Sequence, residues 1–365
     1  MQLPVDLPPA SRPPERGVEF REPVSTAAAH ARRLPAQTLS ALTVLDDRRA
    51  LLAVAQTVVL AAGTIAAAIV IDRWWATALA VVLVATQQHA LFVLAHEAAH
   101  YRLFSSRRMN DAAGRLVASL AGISMCTYRV IHRLHHNHLF GELDPDLALT
   151  GGWPRGRAYL LKKLATDMTG ITAVKTYAYF FGSPSRNTAL SAGDHGASRP
   201  LDDTSPALRA AADADRRGVI LLQATIPVAL VLGGWAAARW APTGAWTAMS
   251  PWTPPAWWLL LWVLPAVTVL QAILRLRAVI EHGAPGGVDS PLTAARTNVA
   301  GPIARLALFP HHVNYHVEHH LYPAVPHYRL PALHAALAEQ GSLSQAEVRD
   351  WRDTWRRVYA PRAAR

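Results

Sequence analysis

Cysteine is nearly absent. Cys126 stands alone in 365 residues, so no internal disulfide can form and nothing points to an oxidising compartment. Charge is scarce as well. Asp, Glu, Lys and Arg make up 17% of the chain against 51% hydrophobic residues, and mean hydropathy is +0.13. That balance excludes an ordinary soluble globular protein. No self-similarity at 20–50 residues is present, which excludes repeat arrays. The opening MQLPVDLPPASRPPERG is Pro-rich and polar and lacks an apolar core before residue 51. It predicts no signal peptide; residues 1–35 read as a flexible arm.

What the chain has instead is long uncharged runs. Leu51–Ile71, Trp74–Ala95 and Gly218–Ala238 carry no charge, and Ala256–Leu274 follows a Pro- and Trp-rich stretch. At about 1.5 Å per residue, each crosses a hydrocarbon core of about 30 Å. The expected fold is an all-α integral membrane protein. Four transmembrane helices (51–71, 74–95, 218–238, 256–274) form two pairs beneath a helical cap. The catalytic part spans 36–335, and 336–365 form a basic amphipathic tail.

Only Arg73 and Arg239, of 36 Lys and Arg, lie in the connections within the pairs. The positive-inside rule then puts the other face in the cytoplasm, termini included, as in a bacterial inner membrane. The net charge of +11 is accounted for by this topology and by anionic lipid, and no nucleic-acid partner is expected. Leu116–Tyr128 is apolar but short, which suits an interfacial helix, and Thr169–Phe181 reads as a second interfacial stretch. Gly182–Pro206 reads as an exposed loop. Ser344-Gln345-Ala346-Glu347 spells a capping box before a helix carrying Trp351 and Trp355 that is expected to be solvated or to rest on the membrane.

The placement of the 17 histidines is the most informative feature. His96 and His100 frame an H-E-x-x-H where the second apolar run ends. His132, His135 and His136 form an H-x-x-H-H, as do His316, His319 and His320. On a helix such spacings share one face. His282 follows the fourth run. Because each helix pair goes out and returns, all four pieces reach one membrane surface. A catalytic zinc uses about three protein ligands. Nine imidazoles exceed that and suffice for two metals with four or five each. The zinc-peptidase reading of His96-Glu97-Ala98-Ala99-His100 therefore leaves six unexplained. Soluble carboxylate-bridged di-iron proteins need a second Glu-x-x-His, and the chain has none.

HEAAH, HRLHH and HVEHH, in this order between two pairs of apolar helices, resemble the three histidine boxes of the membrane fatty-acid desaturase family. HRLHHNHLFGELDPD (132–146) resembles the second box of bacterial members, and HVNYHVEHHLYP (312–323) the third. Arg277–Gly283 resembles the segment bearing the family's extra histidine. The similarity covers roughly residues 50–335. It implies a non-haem centre of two Fe ions, O2 as co-substrate and a lipid or other hydrophobic substrate. The family reaction is insertion of a double bond; hydroxylation or ketolation by the same ligands stays open.

No cytochrome b5, flavin or nicotinamide fingerprint is present, so no bound haem or flavin is expected. The electrons then come from outside, and the basic face suits a ferredoxin-type donor. The expected ligands are His96, His100, His132, His135, His136, His282, His316, His319 and His320. Asp144, Asp146, Glu318 and Asn314 are candidates to orient imidazole N–H groups. His312, with His311 and His138, is expected behind the ligands or at the surface. His89 is expected to be a buried, hydrogen-bonded packing residue. His30, His195, His327 and His334 are assigned no role.

Overall fold

The computed structural model describes residues 34–141, 144–181, 206–240 and 252–361. Apart from Leu34, Pro35 and Pro206, the arm and the 182–206 loop lie outside them.

After a short α1 (Ala36–Thr43), α2 (Asp47–Ile71) and α3 (Trp74–Ala99) form a membrane hairpin. Asp46 caps α2 by accepting from the Arg48 and Arg49 amides, and Asp72 ends it in a left-handed turn (φ 45°). The buried residues of α2 are small: Ala50, Ala53, Thr57, Ala61 and Ala68. Small side chains at these steps let the backbones approach closely, the usual packing device where water supplies no drive. Its large residues, such as Leu51, Leu52, Val59 and Val70, are exposed, as suits a lipid-facing surface. From Val84 to Ala99 α3 is buried on every side, so it is the central post on which the site is mounted.

Beyond the end of α3 come α4 (Arg107–Leu120) and α5 (Met125–Asn137). The expected continuous helix over 116–128 is broken between them. Gly122 has φ +79°, and Ser124 caps α5 through the Thr127 amide. Next come α6 (Arg157–Met168) and α7 (Ala173–Phe181). Phe180 turns inward against the main apolar core.

The second membrane pair is α8 (Pro206–Trp240) and α9 (Thr253–His282). Both outrun the uncharged runs that announce them. α8 starts earlier because the buried Asp215 pairs with Arg115 and accepts from the Cys126 amide, which also caps α5. α9 includes a π-turn at Leu259–Val263 and a kink at Thr268. It continues past its charges because Arg275 pairs with Asp167 and Arg277 with Glu281 inside the protein. All four helices are long and apolar enough to cross a bilayer, and the protein is integral to the membrane.

Beyond α9 come β1 (Thr297–Val299), α10 (Pro302–Leu308), α11 (His316–Leu321), α12 (Leu330–Glu339), β2 (Val348–Asp350) and α13 (Trp351–Val358). β1 and β2 pair in parallel, with Thr297 opposite Val348. The expected capping box does not form. Asp350 caps α13, while Glu347 is buried and meets Arg296, Arg349 and Arg357. α13 docks on the protein through Trp351 and Trp355, which pack against the clusters around Ile280 and Val279, while Arg352, Asp353 and Arg356 on its outer face are exposed.

Candidate metal centre

Four elements converge at the C-terminal end of α3. Its last turn carries His96, and His100 follows as the capping residue. α5 brings His132, His135 and His136; α9 ends on His282; α11 brings His316, His319 and His320. The nine imidazoles sort into two groups. One holds His96, His100, His132, His136 and His319; the other holds His135, His282, His316 and His320.

Each H-x-x-H-H is split rather than pooled. The residues at i and i+4 go to one group, and the residue at i+3 goes to the other. His132 and His136 leave His135 to the second group, while His316 and His320 leave His319 to the first. A helical turn of 100° per residue produces this, because i+3 and i+4 flank the i position on opposite sides. The two groups touch: the His136 and His320 rings stack with centroids 4.2 Å apart.

Within each group the Nε2 atoms point at one another. His100 and His132 are 2.7 Å apart, His136 and His319 3.0 Å. In the other group, His135 to His282 is 3.2 Å, His282 to His316 2.7 Å and His316 to His320 3.2 Å. Cis ligands bonded to a metal at about 2.1 Å sit about 3 Å apart, so these spacings fit shared ions. The buried Nε2 of His96 has no hydrogen-bond partner among the described residues. An orphaned imidazole nitrogen facing four others is what a metal would satisfy. Burial lowers the pKa of His132, His136, His316, His319 and His320 well below the ordinary imidazole value, and that of His100 to about 3. These rings are therefore neutral, the form that binds metal. The donor set is all imidazole, which iron accepts readily.

Some rings are oriented from behind. His135 Nδ1 lies 3.0 Å from Asp144 Oδ1 and 3.6 Å from Asp146 Oδ2. Burial pulls the pKa of His135 down, but the Asp144 carboxylate outweighs it and raises the value overall. Asp144 is itself fixed by the amides of Phe140 and Asp146. His282 Nδ1 donates to the Ala294 carbonyl at 3.1 Å.

The other expected orienting residues do not reach the ligands. Glu318 accepts from Thr297 and His334, tying α11 to β1 and α12. Asn314 donates to the Asn298 carbonyl, and His312 meets Arg305. His311 meets the Thr57 hydroxyl, and His138 caps α5 outside both groups. His89 is fully buried, but neither ring nitrogen has a hydrogen-bond partner among the described residues.

Sequence reasoning passed over four residues. Glu281 Oε2 lies 3.7 Å from His316 Nε2, and Glu97 Oε1 lies 3.3 Å from His96 Nδ1. The His327 amide donates to Glu97, and the His334 ring holds Glu318. Glu97 and Glu281 each adjoin an expected ligand in sequence, a signal that could have found them. His327 and His334 carry no such mark.

A cavity of ≈ 130 Å³ opens onto both groups, touching His96, His132, His135, His282 and His316. Phe92, Ile131, Phe180 and Leu274 supply its apolar wall, Arg277, Glu281 and Gln271 a polar one. Between the membrane helices lies a second, apolar cavity of ≈ 400 Å³ bounded by Ile65, Leu91, Ile226, Trp257 and Trp262.

A family model described as fatty acid desaturase matches residues 72–351. Two beta-carotene ketolases of Paracoccus sp. are similar. That of strain PC1 is 28% identical over 245 residues and that of strain N81106 / MBIC 01143 26% over 246, each covering 66% of this chain and 72% of the relative. An endoplasmic-reticulum omega-3 fatty acid desaturase of Vigna radiata var. radiata is 24% identical over 260 residues, covering 66% of this chain and 59% of its own.

Proposed function

The chain belongs to the fatty acid desaturase family, and from that premise we propose that it is an O2-dependent di-iron enzyme that inserts a double bond into a lipid or related hydrophobic substrate. The observation carrying this reading is the split of nine imidazoles into touching groups of five and four at the C-terminal end of α3. Those nine residues are the proposed ligands of two Fe ions. Iron held there supplies the redox chemistry that removing hydrogen from an unactivated carbon requires. Overall, two substrate hydrogens, with two electrons and two protons from a donor, convert O2 to two waters.

The chain's own part is to hold and to exclude. Asp144 fixes the tautomer and angle of His135, and the Ala294 carbonyl does the same for His282. Phe92, Ile131, Phe180 and Leu274 shape the cavity beside the histidines and keep bulk water from it. The apolar cavity between the helices offers room for a hydrocarbon segment. The histidine-bearing face is cytoplasmic in this reading, and the electrons come from an external, ferredoxin-type donor.

A second reading, ketolation or hydroxylation, is favoured by the two carotene-ketolase relatives and by Arg277, Glu281 and Gln271 on the cavity wall. Hosts expressing the chain and fed candidate lipids and carotenoids separate the readings by product mass. Loss of two hydrogens supports desaturation; gain of oxygen supports the alternative. No product with any of them in cells that supply iron and reductant contradicts both.

A further inference from the structure

A groove of ≈ 630 Å³ lies outside the histidine site, bounded by α2, the middle of α3 at Gln87 and Ala90, α10 and the turn at Pro310–His312. One end is basic and rich in hydrogen-bonding groups, with Arg49, Arg305, His311, His312, His327 and Tyr328. Leu52 and Leu60 on α2 and Leu306 on α10 add apolar surface to the lining, alongside the neutral Gln56, Thr57 and Gln87. No acidic side chain lines it among the described residues.

Its cations are available. Arg305 Nη2 meets only the neutral acceptor His312 Nδ1 at 2.9 Å, and no ion pair engages it among the described residues. Arg49 sits 5.5 Å above the Tyr328 ring and makes only an exposed contact of 3.6 Å with Asp46. Such an exposed pair contributes little and is easily exchanged for a stronger anion. The wall holds an unsatisfied group too. His327 is 95% buried (5% exposed), and neither ring nitrogen has a hydrogen-bond partner among the described residues. His311 and His312, consecutive and neither of them glycine, both take left-handed backbone conformations, φ 54° and 59°. Each is a strained conformation for a residue with a side chain. The turn sets both rings along the groove wall, and burial keeps His311 neutral with its pKa lowered to about 4. It serves as a hydrogen-bonding group rather than a charge.

We propose that this groove binds an anionic phospholipid, its phosphate between Arg49 and Arg305 and its acyl chain along Leu52, Leu60 and Leu306. The position of the groove selects lipid over a soluble anion. Arg49 lies in the first turn of a membrane helix, and Leu60 lies about 16 Å further along it toward the bilayer centre. Leu52, Ile303 and Leu306 are exposed beside it, as surfaces meeting lipid are. A guanidinium pair suits a phosphodiester, and the exposed leucines suit its chain.

The test uses the full-length, iron-loaded protein in a neutral detergent, titrated separately with phosphatidylglycerol, phosphatidylcholine and inorganic phosphate. Bound lipid is counted by native mass spectrometry, and thermal midpoints are recorded. Phosphatidylglycerol should bind about tenfold or more tighter than phosphatidylcholine, and inorganic phosphate should not raise the midpoint comparably. Arg49→Ala/Arg305→Ala should lose that preference while keeping its iron; Arg305→Gln alone serves if the pair fails to fold. A control, Arg352→Ala/Arg356→Ala, removes two charges from the tail and should bind as the parent does. Unchanged binding by the groove variants, or equal loss in the control, overturns the proposal. So does inorganic phosphate matching the lipid.

Discussion

His282 is the proposed ligand that stands apart, since it comes from the end of a membrane helix rather than from a histidine cluster. Its Nε2 lies within 3.2 Å of both His135 and His316. His282→Ala should therefore empty the four-histidine site and leave the five-histidine site filled, lowering iron from about two to about one per chain. Metal analysis of the purified variant checks this, and full iron would remove His282 from the ligand set. Asp144→Asn keeps the shape but loses the charge that orients His135, and should cost about 10–100-fold in activity or metal affinity. Measuring iron retention against a chelator separates the two.

At this scale the sequence was legible where chemistry repeats itself. His132, His135 and His136 announce themselves by spacing, and Asp144 by closeness in the chain. His334 and Glu318 meet only because α12 folds back on α11, a contact no local pattern encodes. Glu281 hides for another reason: its charge looks incompatible with a membrane helix until Arg277 is placed beside it.

At the scale of elements, the turn between α4 and α5 decides where the second cluster points. Gly122 holds φ +79°, and a Cβ there would lie 3.0 Å from the Tyr177 ring. Gly122→Ala should destabilise the protein by about 1–2 kcal/mol from the backbone term alone. It should also rotate α5, so a lowered thermal midpoint accompanied by partial loss of iron is expected. A midpoint equal to the parent's would show that the turn adapts freely. The missed break at residues 121–124 has the same origin: Leu116–Tyr128 is uniformly apolar save for single small residues, so hydropathy runs through it. Helix lengths were misread in the opposite direction. Arg275 and Arg277 look like a boundary to hydropathy, yet their partners Asp167 and Glu281 let α9 continue to His282. Termination by charge holds at a lipid surface and fails inside a protein.

For the whole molecule, the apolar runs and the bias of Lys and Arg determine the arrangement, and both are sequence properties read without a structure. They predict that the α2–α3 connection and the tail face opposite sides. In a Cys126→Ser background, an impermeant thiol reagent added to intact cells should label Arg73→Cys and spare Arg356→Cys. Labelling in the reverse pattern would invert the proposed topology, and equal labelling of both would abolish it. How the tail packs was not legible. α13 docks through Trp351 and Trp355 because β1 and β2 pair across some fifty residues of chain, a register set by tertiary contacts.

In the proposed centre, nine imidazoles from four separate segments share two iron ions at one end of the helix bundle. Metal content per chain, with Mössbauer spectroscopy of protein grown on ⁵⁷Fe, tests it most directly. About two irons per chain are expected, in two distinguishable environments. A single zinc per chain, or iron in one isolated mononuclear site, would contradict it.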